Sequence, residues 1–97
     1  MKNKQEILFT LKNSKPELAK KYGLKALALF GSYSRGTQVT GTSDVDVMVE
    51  FHTPVGMEFI ELADELEALL NMKVDLVSRK GIKPKYFKVI EPELIYV

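Results

Sequence analysis

The segment Ser43-Asp44-Val45-Asp46-Val47-Met48-Val49 places a valine at every second position, which predicts a β-strand with one buried face. The alternation continues to Phe51, so the predicted strand spans 44–51. Because successive side chains point to opposite faces, Asp44 and Asp46 share a face, roughly 6.5–7 Å apart at their Cα atoms. Two like charges this close raise each other's pKa, so the pair predicts a cation that offsets them.

A glycine- and hydroxyl-rich turn, Phe30-Gly31-Ser32-Tyr33-Ser34-Arg35-Gly36, follows a short apolar strand at 27–30 and opens a short helix. Gly31 has no Cβ, so its backbone can approach a phosphate closely. Ser32 offers a hydroxyl and an N–H, and the N–H groups at a helix start attract anions. Arg35 fits a phosphate clamp, and it fits an exposed structural arginine equally well. The turn is therefore a candidate phosphate site.

A third carboxylate, Asp75, lies in the apolar run Lys73-Val74-Asp75-Leu76-Val77, which predicts a strand at 74–77. Carboxylate ligands with no histidine or cysteine beside them select Mg²⁺ or Mn²⁺ over zinc. A second ion at Asp75 would allow two ions to stabilise the attacking and leaving oxygens of a displacement at phosphorus. Asp75 would also help to deprotonate the acceptor. Taken singly, Gly-Ser turns and Asp-x-Asp strand starts are common in ordinary turns and solvated edges, so the prediction depends on their conjunction.

Periodicity predicts the remaining elements. A first helix is expected at 4–13 and a second after Ser14, with Pro16 in its first turn and a Ser14–Glu17 capping box; Gly23 ends it. A turn is expected at Thr40-Gly41-Thr42 and a short helix at 85–90. A long helix at about 56–70 ends at Asn71 and turns its apolar side inward: Phe59, Leu62, Ala63, Leu66, Leu69 and Leu70. This order of elements predicts an α/β or α+β layer with a small sheet.

Composition sets the broad class. The chain has 97 residues, which fits a single domain at 1–97, and 45% hydrophobic with 28% charged residues fits a globular protein. The net charge of +1 gives no general sign of nucleic-acid or membrane binding. The chain has no cysteine, which excludes disulfides and thiolate metal sites. With no apolar signal core and no run of about 20 apolar residues, we predict a cytoplasmic protein.

The segments from Phe30 to Gly36 and from Ser43 to Asp46 resemble the signature of the DNA polymerase β-like nucleotidyltransferase superfamily, and more narrowly the minimal nucleotidyltransferase (MNT) antitoxins. The resemblance implies a nucleotidyltransferase fold, a small mixed β-sheet with helices packed on one face. It implies Mg²⁺ at Asp44, Asp46 and Asp75 and nucleoside triphosphate at Gly31 and Ser32. Members of this family pair with a HEPN-domain toxin and transfer AMP from ATP to a toxin tyrosine. This chain has eleven residues between Ser32 and Asp44, one more than is usual in the antitoxins.

Three hypotheses follow. The first is a Mg²⁺-dependent nucleotidyltransferase that modifies a partner protein, because the acceptor side of the site is missing from so short a chain. The second is a non-catalytic module that neutralises a HEPN toxin by occlusion, motivated by the acidic segment 58–67 and the apolar C-terminal residues 94–97. The third is a standalone transferase acting on a small molecule or RNA. The sequence does not fix the nucleotide base, the acceptor atom or self-association.

Overall fold

The computed structural model describes residues 3–39 and 42–97, so Thr40 and Gly41 of the predicted turn Thr40-Gly41-Thr42 lie outside the described residues. Within these ranges the helices are α1 (Lys4–Tyr22), α2 (Ser32–Arg35), α3 (Glu58–Leu70) and α4 (Pro84–Ile90). The strands are β1 (Leu24–Phe30), β2 (Val45–Phe51), β3 (Val74–Ser78) and β4 (Ile95–Tyr96). Short 3₁₀ helices cover Arg79–Gly81 and Glu91–Glu93.

The described strands form a mixed sheet in the order β3-β2-β1-β4. β1 pairs antiparallel with both β2 and β4, whereas β2 pairs parallel with β3. A parallel pair needs a crossover connection, and α3 provides it between β2 and β3. The predicted small mixed sheet is confirmed.

The first helix differs from the prediction of two helices. α1 continues through Pro16, and its capping box is Asn3–Glu6, in which the Glu6 N–H donates to Asn3 Oδ1 at 2.9 Å. The predicted Ser14–Glu17 capping box is therefore wrong. Buried residues recur along one side at helical spacing on both sides of the proline: Ile7, Leu11, Leu18 and Tyr22. Burial of this continuous apolar face offsets the hydrogen bond that Pro16 cannot donate.

The core lies between one face of the sheet and the helices α1 and α3. The valines of β2 and a stripe of α3 are fully buried together: Val45, Val47, Val49, Leu62, Leu66 and Leu70. The prediction that Leu69 faces inward is wrong, because it lies beside this stripe and is 40% exposed. Asn71 ends α3 in the left-handed conformation, as predicted.

The opposite face of the sheet carries the predicted acidic residues. Pairing puts Phe30, Asp46 and Asp75 in one row across β1, β2 and β3, on the face away from the valines. The apolar C-terminal residues pack back on the sheet, because Ile95 pairs with Leu29 in β1. No helix within residues 3–39 and 42–97 has the length and apolar character required to cross a bilayer.

Candidate active site

Two of the predicted carboxylates, Asp46 and Asp75, are neighbours across the parallel pair β2–β3. Adjacent strands lie about 4.8 Å apart, so the two side chains leave the same face at nearly the shortest spacing that a sheet allows. Asp44 directly precedes β2 and is exposed, as is Asp75, whereas Asp46 is partly buried. The sheet therefore brings three carboxylates together, of which Asp44 and Asp75 face solvent.

Asp46 is the electrostatic centre of this group. Burial, followed by the charges of Asp75 and Asp44, raises the pKa of Asp46 from its ordinary 3.8 to about 6. The Arg35 guanidinium opposes this rise, and the Glu93 carboxylate adds to it. The chain thus holds an acid whose ionisation is disfavoured by its burial and by its acidic neighbours.

Gly31 joins the phosphate-candidate turn to Asp46. Its φ of +78° is a conformation that other residues rarely adopt, and a Cβ built there would lie 2.0 Å from Asp46 Oδ2. The sequence predicted that a Cβ at Gly31 would obstruct a phosphate; in the structure, the nearest obstacle is the Asp46 carboxylate. Glycine is required here because the turn and the carboxylate touch.

Ser32 begins the short helix α2, whose first N–H groups have no partner within the helix. The Tyr33 side chain is only 2% exposed and anchors α2 in the core, and the Arg35 N–H donates to the Gly31 carbonyl at 3.0 Å. Gly36 then ends the helix with a φ of +77°. The turn from Gly31 to Gly36 is thus a fixed structure next to Asp46.

Arg35, the predicted phosphate clamp, forms an ion pair with Glu93, whose Oε2 lies 2.8 Å from Arg35 Nη1. Glu93 also accepts a hydrogen bond from the Gly31 N–H. Sequence reasoning missed Glu93, because nothing in Glu91-Pro92-Glu93 points to a segment 58 residues away along the chain. Only the pairing of β4 with β1 brings the two together.

The loop before Asp44 closes on itself within its described residues. The Val39 N–H donates to Ser43 Oγ at 2.8 Å, and the Ser43 N–H donates to the Val39 carbonyl at 3.0 Å. The two ends of the loop are therefore held together immediately before Asp44. This closure fixes the approach to β2 in a chain whose spacer is one residue longer than the antitoxin pattern.

The donor set can be tested against Mg²⁺. Across residues 3–39 and 42–97, no three histidine, cysteine, aspartate or glutamate side chains converge tightly enough to hold a metal ion by themselves. Magnesium needs only one or two carboxylates, because waters and substrate phosphates complete its coordination. The pair Asp46 and Asp75 fits that requirement, because burial and then the charge of Asp75 raise the pKa of Asp46 and a cation would offset both effects.

A cavity of about 240 Å³ lies at the end of β2 away from Asp46. Its lining is mainly apolar and also includes Lys80. Its walls include Phe51 and Phe59 but none of the carboxylates described above. Phe51 and Asp46 lie at opposite ends of β2. This cavity is therefore separate from the candidate active site.

A family model described as "Nucleotidyltransferase domain" matches residues 11–97. A protein of Methanocaldococcus jannaschii, whose name assigns it provisionally to the protein adenylyltransferases, is 48% identical over 101 residues. That match covers 100% of each chain. The match to the family model and the similarity to this relative both extend over the turn and all three acidic positions.

Two solved structures are also similar. One, provisionally named a minimal nucleotidyltransferase, superimposes with a TM-score of 0.80 at 27% identity and covers 97% of this chain and 95% of its own. The other is a toxin–antitoxin structure with AMP-PNP, with a TM-score of 0.61 at 33% identity over 74% of this chain and 60% of that one. The first likeness extends over nearly the whole chain and the second over about three quarters of it.

Proposed function

The chain belongs to the nucleotidyltransferase domain family, and we propose that it transfers AMP from ATP to a partner protein as the antitoxin of a toxin–antitoxin pair. The observation that carries the proposal is the register match of Asp46 with Asp75 beside Gly31. The name of the M. jannaschii relative supports protein adenylylation, and the toxin–antitoxin structure with AMP-PNP supports the nucleotide and the context. A HEPN-domain toxin is the proposed partner, on the resemblance to MNT antitoxins.

In this proposal Asp44, Asp46 and Asp75 hold Mg²⁺. When bound, the metal offsets the phosphate charge and stabilises the attacking and leaving oxygens. Gly31 and Ser32 bind phosphate through the turn, and Arg35 contributes guanidinium donors. A guanidinium has five N–H donors, so the single bond from Arg35 to Glu93 leaves others for a phosphate oxygen.

The reaction is a displacement at the α-phosphorus. The acceptor hydroxyl oxygen forms a bond to phosphorus, the bond from phosphorus to the bridging oxygen breaks, and pyrophosphate leaves with that electron pair. Asp75 accepts the hydroxyl proton. Asp75 is exposed on the open face, so an acceptor carried by another molecule can reach it.

Label transfer tests this function. The chain is incubated with Mg²⁺, a HEPN-domain protein from the same organism and ATP labelled at either the α- or the γ-phosphate. We expect label on the partner from α-labelled ATP only. Asp46→Asn and Asp75→Asn should each reduce transfer at least about a hundredfold, because each removes a proposed metal ligand. Transfer from γ-labelled ATP, or variants as active as the wild type, would contradict the proposal.

A toxin-inhibition assay on the same proteins separates the enzymatic proposal from occlusion. We expect an Asp44→Ala/Asp46→Ala variant to bind the toxin without silencing it. Full silencing by that variant would instead indicate occlusion. Label transfer to a small molecule or RNA with no partner present would indicate the standalone transferase.

A further inference from the structure

Three hydrogen bonds from the phosphate-candidate turn converge on one residue, Glu93. The Gly31 N–H donates to Glu93 Oε1 at 3.1 Å, and Arg35 Nη1 donates to Glu93 Oε2 at 2.8 Å. The Ser34 hydroxyl donates to the backbone carbonyl of Glu93. Both carboxylate oxygens and the main chain of Glu93 are therefore bonded to a turn of only five residues, 31–35.

The fold holds Glu93 in place from the other side. Two residues after it, Ile95 pairs with Leu29 in β1, and the Val97 N–H donates to the Leu27 carbonyl at 3.0 Å. Lys15 Nζ donates to the Val97 carbonyl at 2.5 Å. β1 leads directly into Gly31 and also pairs with β4. The same strand therefore positions both the turn and the segment that carries Glu93.

The Glu93 carboxylate is largely shielded from solvent. The Glu93 side chain is 20% exposed, and hydrogen bonds to a carboxylate are stronger than those between neutral groups. Without Glu93, the part-buried Gly31 N–H would lose its acceptor. Glu93 thus fixes the Phe30–Gly31 peptide, while the bond from the Arg35 N–H to the Gly31 carbonyl at 3.0 Å fixes the next peptide, which carries the Ser32 N–H.

We propose that Glu93 is a positioning residue for nucleotide binding, acting through Gly31 and Arg35. Its carboxylate fixes the Gly31 peptide and the Arg35 guanidinium, so that Ser32 and the remaining Arg35 donors are presented to a phosphate of the nucleotide. This role rests on the proposed function, because it assumes that the turn receives triphosphate.

A carboxylate in this position could instead compete with the phosphate for the same donors. The contacts favour positioning for two reasons. The main-chain carbonyl of Glu93 takes part through Ser34, and the flanking pairing with β1 holds the segment in place. A competing side chain would need only its carboxylate. The two roles predict opposite changes in nucleotide affinity.

The test is calorimetric titration of the full chain with Mg²⁺·ATP, with thermal unfolding of each variant measured in parallel. We expect Glu93→Ala to weaken binding about tenfold. Glu93→Gln should weaken it less, because the amide oxygen still accepts from the Gly31 N–H. Glu91→Ala is the matched control, since Glu91 is an exposed glutamate of the same 3₁₀ helix, and it should bind as the wild type does.

A spectroscopic readout separates positioning from a general loss of structure. With ¹⁵N-glycine labelling the chain gives at most six glycine amide signals. The Gly31 signal should move in Glu93→Ala and stay in place in Glu91→Ala, while the glycines away from the turn, Gly23, Gly56 and Gly81, remain unchanged. If Glu93→Ala does not fold, a partial loss of affinity for Mg²⁺·ATP in Glu93→Gln would still support the positioning role.

Unchanged affinity in both Glu93 variants would overturn the proposal, and tighter binding would overturn it in favour of competition with phosphate. If the wild-type chain itself does not bind Mg²⁺·ATP, the proposed function fails and takes this role with it. Wild-type binding combined with unaffected Glu93 variants removes the positioning role alone.

Discussion

Glu65 and Asp46 are both partly buried carboxylates, but they lie on opposite sides of the sheet and their pKa values move in opposite directions. Glu65, on α3, accepts hydrogen bonds from Lys21 Nζ at 2.9 Å and from the Tyr22 hydroxyl at 2.7 Å. Both bonds lower the pKa of Glu65, and the bond from Lys21 has the larger effect. Asp46 is surrounded mainly by other acids, and burial raises its pKa to about 6.

The two carboxylates differ in their effect on stability: ionised Glu65 stabilises the fold, whereas ionised Asp46 destabilises it. Glu65 ties α1 to α3, so its ionised form stabilises the native chain. The ionised form of Asp46 costs stability, because the group is partly buried and its acidic neighbours repel it. A perturbed acid among other acids on an open face is typical of a functional site.

The largest expected effect concerns the crowding around Asp46. Gly31→Ala should destabilise the chain by about 3 kcal/mol or more, because its Cβ would meet the Asp46 carboxylate in a strained conformation. Gly36 has nearly the same φ and nothing within 4 Å of its added Cβ, so Gly36→Ala should cost only about 1 kcal/mol. Urea unfolding measures both.

The double variant Gly31→Ala/Asp46→Gly isolates the clash from the strain. Removing the carboxylate should recover part of the Gly31→Ala loss and leave a cost close to that of Gly36→Ala. Equal costs for the two single glycine variants would show that Gly31 and Asp46 are not in contact.

A smaller effect concerns the charge of Asp46. In metal-free buffer at pH 7.5, Asp46→Asn should stabilise the chain by about 1 kcal/mol, a figure discounted for the partial exposure of the group. The native chain keeps the Asp46 proton up to about pH 6, whereas the unfolded chain loses it near 3.8. Wild-type stability therefore falls relative to the variant as pH rises through this window, and the advantage disappears below about pH 4.

Thermal unfolding of both proteins between pH 4 and 8 follows this change. If the stability of Asp46→Asn relative to the wild type increased toward acid pH, the pKa of Asp46 would be lowered in the native chain and the prediction would be wrong. Loss of stability at pH 7.5 would show that ionised Asp46 is compensated within the chain.

The smallest effect concerns Glu65. Glu65→Gln should lower stability by less than about 1 kcal/mol at pH 7, because it weakens a partly exposed pair. Its lowered pKa means that this contribution is present above the ordinary value of 4.5 and is lost as pH falls. Label transfer should be unchanged, since Glu65 lies outside the site. If Glu65→Gln stabilised the chain at pH 7, the contrast with Asp46 would not hold.

Local patterns in the sequence predict three of the four described strands and the residues Gly31, Asp46 and Asp75, which the structure brings together. The valine alternation of β2 predicts the face that Asp46 occupies, and the residues around Gly31 predict its place in the turn. β1 begins at Leu24 rather than at 27, because pairing with β2 extends it past an irregularity between Leu24 and Ala26. Alternation alone does not reveal a strand end that depends on a partner.

The remaining features depend on contacts between distant segments. Pro16 reads as a helix start, and only the apolar face that α1 buries explains why the helix continues through it. Glu93 has no local signature, since its role arises when β4 pairs with β1. The roles of Asp44, Asp46, Asp75, Gly31, Ser32 and Arg35 stay predictions until nucleotide binding is measured.

The parallel pairing of β2 with β3 has a consequence for how such chains can change length. The spacing of Asp46 and Asp75 is set by strand register, not by the number of residues in the α3 crossover that joins their strands. Insertions or deletions in the connections on either side of α3 can therefore accumulate without moving the two acids apart. We expect aligned relatives to vary most in length between these two positions and to keep the strand residues around each acid.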